Sequence, residues 1–117
     1  MAYDGQLLKG TVSIMVLKLL SENDRYGYQI IRELEKRSES VFLLNEGALY
    51  PVLHKLETDG QISSYWEESG GRKRKYYHIT SKGAELFESK RQEWADFSGM
   101  VSKILREFRG NQLCRSL

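Results

Sequence analysis

The chain has 117 residues, which suits one small domain with one additional element. Its 18 basic and 16 acidic side chains leave a formal charge of +2, so net charge alone does not indicate a nucleic-acid partner. The single cysteine, Cys114, excludes an internal disulfide and favours a cytoplasmic location, and no apolar run is long enough to span a membrane.

Two amphipathic helices are predicted in the first third of the chain. Residues 7–20 are apolar over so much of the helix surface that this helix should be central. After a polar break, residues 25–37 form the second helix, with Asp24 as its N-cap. Residues 41–44 then either pair as a short strand or fill the core. The predicted inner faces consist of Leu8, Val12, Met15, Val16 and Leu19, flanked by Ile14, Leu17 and Leu20, and of Tyr26, Ile30, Ile31 and Leu34.

A third, short helix is predicted over residues 45–60. Asn45 is a suitable N-cap because its side-chain oxygen can accept an N–H of the first turn, and Gly60 tolerates the left-handed conformation that ends many helices. Pro51 lies inside this helix and removes a backbone donor, so we expect a bent first turn or a later start. The predicted buried face consists of Leu49, Val52, Leu53 and Leu56.

The opposite face of the third helix is small at one end and carries hydrogen-bonding groups along its length. Such a face can enter the major groove of DNA, where donors, acceptors and the thymine methyl group must be matched; an ordinary solvated surface is the alternative. This helix contains three acidic residues, Glu46, Glu57 and Asp59, and one basic residue, Lys55, so its formal charge is −2. Affinity for phosphate must therefore come from other parts of the chain. The candidate DNA contacts on it are Asn45, Gly47, Ala48, Tyr50, Pro51, His54 and Lys55.

After Gly60 the apolar period changes from 3.6 to 2, which predicts strands at residues 62–66 and 75–79. The connection, residues 67–74, contains a glycine pair and leads into four consecutive basic side chains. These charges repel one another, and a phosphate backbone would neutralise them. A charged, soluble hairpin tip is the alternative interpretation. The candidate DNA contacts here are Gly71, Arg72, Lys73, Arg74 and Lys75.

The last predicted helix begins after Thr80, its cap, and ends near residue 108. Apolar side chains repeat along it in a heptad pattern interrupted only by Lys90, which predicts a two-fold homodimer. We therefore divide the chain into a domain at residues 1–80, a dimerisation helix at 81–109 and a flexible tail at 110–117. The candidate interface residues are Phe87, Trp94, Phe97, Val101, Ile104 and Phe108.

Three helices followed by a hairpin with a basic tip form the element order of a winged helix-turn-helix domain. The predicted fold class is thus α+β, mostly helical, with the third helix as base reader, the hairpin as wing and a long C-terminal helix. His54 and His78 are isolated, and no metal-ligand spacing or phosphate-binding glycine loop occurs, so we expect neither an enzyme nor a cofactor. A winged-helix module that binds protein instead of DNA is the alternative; ion pairs that fix the basic run within the protein would favour it.

The same segments resemble the PadR family of bacterial transcriptional repressors. The resemblance covers about residues 7–105 and implies a sequence-specific repressor that binds a double-stranded operator as a dimer formed by the last helix. Residues 62–66 and Trp94 resemble the subset that senses multiple drugs, in which paired tryptophans sandwich a flat aromatic ligand at the dimer axis. The matching segments are residues 26–30, 45–51, 53–57 with Gly60 and Ile62, and 71–77 with Thr80 and Gly83.

The drug-sensing resemblance makes Trp94 a candidate ligand contact. A two-fold axis near Trp94 would bring two indole rings face to face, so a planar aromatic inducer could stack between them. A large interface anchor without ligand is the alternative interpretation. The further candidate ligand contacts are Lys90, Arg91, Glu93 and Phe97.

Overall fold

The computed structural model describes the backbone of residues 5–116 and the side chains of residues 10–106. Within these residues the chain forms four helices and one antiparallel sheet with strand order β1-β3-β2. This confirms the predicted α+β, mostly helical, winged-helix architecture. The elements are α1 (Gly5–Glu22), β1 (Arg25–Tyr26), α2 (Gly27–Arg37), α3 (Glu46–Thr58), β2 (Ile62–Ser69), β3 (Arg72–Ile79) and α4 (Ser81–Ser116).

The chain divides into two compact units, Met1–Phe87 and Glu88–Leu117. In the first unit α1 is central, as predicted, because Val16 and Leu17 have no exposed surface. Apolar faces of α2, α3 and the sheet pack around it. None of the described helices is both long and apolar enough to span a membrane. The buried core consists of Val12, Val16, Leu17, Leu19, Leu20, Ile30, Leu34, Leu49, Leu53, Leu56, Ile62 and Tyr77.

The second helix begins two residues later than predicted. Its first residue is Gly27, because the two residues before it form β1 and pair with β3. Asp24 therefore does not cap this helix; instead the Tyr26 backbone N–H donates to Oε1 of Gln29 at 3.1 Å. Residues 41–44 form no strand, and the last of them packs against the core.

The ends of α3 follow the sequence prediction. Asn45 Oδ1 accepts the Ala48 backbone N–H at 2.9 Å, which confirms the N-cap. Gly60 adopts φ = +77°, and its own N–H and that of Gln61 donate back to the last turn of the helix. Pro51 is accommodated in a helix that starts at Glu46, so the later start considered for it was wrong.

The hairpin is longer and its turn tighter than predicted. The strands pair without interruption from Ile62 opposite Ile79 to Ser69 opposite Arg72. Only Gly70 and Gly71 form the turn, with φ of +61° and +79°. Positive φ at both central residues is typical of a two-residue type I′ turn, which suits the twist of the strands. The basic run therefore lies on β3 and not in the loop.

The last helix is also longer than predicted. The Thr80 hydroxyl accepts the Gly83 N–H at 3.1 Å, so Thr80 is the cap. The helix ends at Ser116, and residues 110–116 continue it where a flexible tail was predicted. Gly110 costs a helix only about 1 kcal/mol, and no proline interrupts this stretch.

Gly83 lies where the first turn of α4 meets Gln61, just before β2, and Ile79, the last residue of β3. A Cβ at this position would be 2.0 Å from the Gln61 carbonyl oxygen and 2.9 Å from Cγ1 of Ile79. We predict that Gly83→Ala lowers the free energy of unfolding by roughly 1–3 kcal/mol, because overpacking outweighs the better helix propensity of alanine. Urea unfolding followed by circular dichroism measures this change.

The matched control for Gly83→Ala is Gly99→Ala in the same helix. A Cβ at Gly99 would meet no atom within 4 Å, so this substitution should leave stability unchanged or raise it by up to about 1 kcal/mol. Equal effects of the two substitutions would show that the contact with Gln61 does not limit stability.

Candidate nucleic-acid interface

The outer face of α3 carries the residues predicted to read base edges. The buried residues Leu49, Leu53 and Leu56 alternate with them at helical spacing. Gly47 and Ala48 make one end of this face nearly flat, so another molecule can approach the backbone closely there. The seven exposed residues are Asn45, Gly47, Ala48, Tyr50, Pro51, His54 and Lys55.

Several polar side chains of α3 have partners within the protein. The Asn45 oxygen is occupied by its capping hydrogen bond. Lys55 Nζ lies 3.1 Å from Asp59 Oδ2, and Glu57 Oε1 lies 3.9 Å from Lys75 Nζ. Two of the three acidic groups of this helix are therefore next to a cation, which reduces the repulsion that its charge of −2 would exert on phosphate.

The basic run extends along β3. Cross-strand pairing places Glu67 opposite Arg74 and Glu68 opposite Lys73, so the protein itself relieves part of the repulsion inferred from the sequence. Even so, among residues 10–106 no acidic group lies within ion-pair distance of Arg72, Lys73 or Arg74. The fixed ion pairs that would favour a protein-binding module are thus absent from this run, apart from the 3.9 Å contact of Lys75.

A groove of about 550 Å³ separates the basic run from the helices. Its walls contain the four basic residues, four aromatic rings, Gly27 and Glu46. Gly27 and Glu46 are the first residues of α2 and α3, so the partly positive ends of two helices lie at this groove. The four rings belong to Tyr26, Tyr28, Tyr50 and Trp66. Of these, only Tyr50 was predicted from the sequence to contact DNA.

Aromatic packing holds Arg74 in place without neutralising it. Its guanidinium carbon lies 4.4 Å from the centre of the Tyr26 ring, and its buried Nε has no hydrogen-bond partner. Tyr26 meets Tyr76 edge to face at 5.3 Å, and Tyr76 stacks on Tyr65 at 5.7 Å. This ladder spans all three strands, so the position of the cation is tied to the whole sheet.

Asp24 joins both wing strands to the segment between α1 and α2. Its carboxylate accepts the Tyr65 hydroxyl at 2.6 Å and lies 2.8 Å from Nδ1 of His78. Burial alone would raise the pKa of Asp24, but the hydrogen bonds with Tyr65 and His78 outweigh burial and lower it. The hydrogen bond with Asp24 raises the pKa of Tyr65 to about 12. Asp24 is therefore ionised, and Tyr65 neutral, at physiological pH.

Glu22 fastens the end of α1 to the end of α2. Its Oε1 accepts hydrogen bonds from Arg37 at 2.6 Å and from Arg25 at 3.1 Å. The hydrogen bond from Arg37, with smaller contributions from Lys18, lowers the pKa of Glu22 to about 2. This network fixes the orientation of α2, whose first turn borders the groove.

In the second unit the predicted ligand and interface residues lie on an exposed helix surface. Trp94 is 46% and Phe97 62% exposed, and Val101 and Ile104 are also exposed. Exposed Met100 and Leu105, which the heptad prediction missed, widen the apolar stripe. Two ion pairs precede and flank Trp94: Arg91 with Glu88 at 2.8 Å, and Lys90 with Glu93 at 3.7 Å.

Two predicted interface residues have a different outcome. Phe87 is partly buried and packs against the core of its own unit, because the first turns of α4 belong to that unit. The side chain of Phe108 lies outside the described residues. Within the part of the chain that is described, no three His, Cys, Asp or Glu side chains form a group that could hold a metal ion.

Comparison with known proteins gives a consistent result. Residues 16–89 match the model of the family described as transcriptional regulator PadR-like. An uncharacterized protein of Lysinibacillus sphaericus is 36% identical over 100 residues, which is 85% of this chain and 92% of that protein. A transcriptional regulator of Mycobacterium tuberculosis is 30% identical over 105 residues, covering 89% and 88% of the two chains.

Solved structures agree with the sequence relatives. A transcriptional regulator from Clostridium thermocellum superposes with a TM-score of 0.79 at 31% identity, covering 85% of this chain and 97% of that one. A PadR-like transcriptional regulator from Bacillus cereus superposes with a TM-score of 0.77 at 35% identity, covering 86% and 97%.

Proposed function

The chain belongs to the PadR-like family of transcriptional regulators, and we propose that it is a cytoplasmic, homodimeric repressor that binds a double-stranded DNA operator. The relatives from Mycobacterium tuberculosis and Clostridium thermocellum are transcriptional regulators. The observation that carries the DNA-binding proposal is the set of three cations on β3, Arg72, Lys73 and Arg74, beside the exposed face of α3; within residues 10–106 they have no acidic group at ion-pair distance. A phosphate backbone is the partner that such a set fits.

In this proposal the two surfaces have different tasks. The outer face of α3 enters the major groove, where contacts to base edges specify the sequence. The wing cations and the first turn of α2 contact phosphates and fix the register of the protein on the duplex. Gly47 and Ala48 offer few groups for reading bases, so the shape of the operator contributes to recognition.

Removal of two wing charges tests the phosphate contacts. Arg72 and Lys73 are exposed and make no ion pair, so Arg72→Gln/Lys73→Gln should leave the fold intact. We predict weaker binding to the operator and to unrelated duplexes alike. The slope of log affinity against log salt concentration should decrease in magnitude by about 2. Fluorescence anisotropy at several salt concentrations measures both quantities.

The control is Lys36→Gln/Lys103→Gln, which removes the same charge from exposed positions that do not line the groove. Its salt slope should match that of the wild type. If both double variants change the slope equally, the wing makes no localised phosphate contacts.

The proposed dimer rests on the apolar stripe of α4. Phe97, Met100, Ile104 and Leu105 are each about 60% exposed, which is unusual for large apolar side chains that lie together on one helix. A two-fold contact covers this stripe with its own copy, since the same patch is then buried on both subunits. Such a dimer also presents two reader helices to a palindromic operator.

We predict that Ile104→Glu yields monomers and abolishes operator binding, because it places a charge at the centre of the stripe. Ser102→Glu adds the same charge two residues earlier, at a position that the heptad pattern turns away from the stripe, and should remain dimeric. Sedimentation equilibrium and gel-shift assays report the two effects. A wild-type protein that is monomeric at micromolar concentration would contradict the proposal.

We also propose that a planar aromatic inducer binds at the dimer axis beside Trp94. The indole is nearly half exposed, and Phe97 lies one turn away on the same stripe. The Glu93 side chain is 73% exposed and would attract a cationic compound. Such a ligand causes release of the operator only if it binds more tightly to dimers whose subunit spacing does not fit DNA. The extent of release is set by this difference in affinity.

Fluorescence of Trp94 tests this ligand site. The chain contains two tryptophans, so Trp66→Phe leaves Trp94 as the sole indole. We predict saturable quenching by planar cationic dyes in that variant, since stacking on the ring requires direct contact. Dye affinity, measured by dye anisotropy, should fall about tenfold or more in Trp94→Ala. If the affinity is unchanged, Trp94 is an interface anchor and not a ligand contact.

A further inference from the structure

Gly27 and Tyr50 form a close contact between α2 and α3. Gly27 is buried at the first position of α2, and a Cβ there would lie 2.8 Å from the Tyr50 hydroxyl oxygen and 3.2 Å from Cζ. Gly27 is not among the residues with positive φ, so its backbone conformation would admit any side chain. A side chain at this position would have to displace the end of the Tyr50 ring, which occupies that space.

The Tyr50 hydroxyl has no hydrogen-bond partner within the part of the chain that the structure describes. Tyr50 is 43% exposed, and no described residue makes a hydrogen bond with its hydroxyl group. Its ring forms part of the wall of the basic groove opposite Arg72 and Lys73. Below it, burial raises the pKa of Tyr77, and Tyr50 and Glu57 raise it further. The Tyr50 hydroxyl therefore lines the same groove as four basic side chains, an environment that suits an anionic acceptor.

We infer that Gly27 is a positioning residue that lets Tyr50 lie across the start of α2, and that the Tyr50 hydroxyl donates to a phosphodiester oxygen of DNA in the groove. This inference rests on the proposed function. It replaces the sequence-based expectation that Tyr50 reads a base. A base-reading tyrosine would project from the outer face of α3, whereas the hydroxyl of Tyr50 rests on the neighbouring helix.

Unfolding experiments test the positioning without DNA. Gly27→Ala should lower the urea midpoint only modestly, because the added methyl group displaces the end of an exposed tyrosine side chain. Tyr50→Phe alone should change it little. In the Tyr50→Phe background, Gly27→Ala should cost clearly less than in the wild type, since the 2.8 Å contact is gone. Additive effects of the two substitutions would overturn the positioning. Gly10→Ala, an exposed helical site with no atom within 4 Å of the added Cβ, is the control.

Binding experiments test the phosphate contact. Tyr50→Phe should weaken binding to the operator and to an unrelated duplex by the same factor, roughly tenfold or more, as expected for loss of one hydrogen bond to a charged acceptor. Gly27→Ala should weaken binding similarly, and should add nothing in the Tyr50→Phe background. A loss confined to the operator would show that Tyr50 reads a base, which would overturn the inference.

The two levels of proposal fail separately. If the wild-type protein binds no duplex, the proposed function and the phosphate contact are both wrong, whatever the unfolding cycle shows. If the wild type binds the operator tightly and Tyr50→Phe binds equally well, the proposed function stands and the phosphate contact is wrong.

Discussion

The two-residue strand β1 joins the helical layer of the first unit to the wing. Arg25 and Tyr26 pair with Tyr77 and Tyr76, which makes β3 the central strand and brings the first turn of α2 next to the basic run. A two-stranded hairpin alone is marginally stable in water. The third strand, together with the hydrogen bonds to Asp24, therefore gives the wing a fixed position, and the groove exists only because that position is fixed.

Internal pairing of the acidic side chains explains how a protein of charge +2 presents a basic surface. Glu22 is paired with Arg37 at the end of α2 and with Arg25 in β1. Asp24 is paired with Tyr65 and His78 of the wing strands, and Asp59 with Lys55. Within residues 10–106, by contrast, no acidic group lies at ion-pair distance from Arg72, Lys73 or Arg74 of the wing. Local distribution, not net charge, thus determines where an anion would be attracted.

The elements that could be predicted from the sequence are those with a clear apolar periodicity or with distinct cap and turn residues at their ends. The apolar period of α3, its cap at Asn45 and its glycine terminator identified both the helix and its exposed face, and Gly70-Gly71 marked the turn of the hairpin. β1 was missed because two residues show no period, and Tyr26 also continues the apolar pattern of α2. The cross-strand partners of the basic run and the contact of Gly27 with Tyr50 depend on pairing between distant segments, which no local pattern encodes. Phe87 fits the heptad pattern, but its side chain also packs against the core of its own unit, a contact that the heptad does not indicate.

The uninterrupted pairing of the hairpin limits how its length can vary. Side chains alternate between the two faces of the sheet, so Tyr77 faces the core while its neighbour Tyr76 stacks on the opposite side. Insertion of a single residue between Lys75 and Tyr77 would shift the register and turn each of the four basic side chains to the opposite face of the sheet, unless a bulge absorbed it. The wing can therefore lengthen or shorten at its tip only by whole cross-strand pairs.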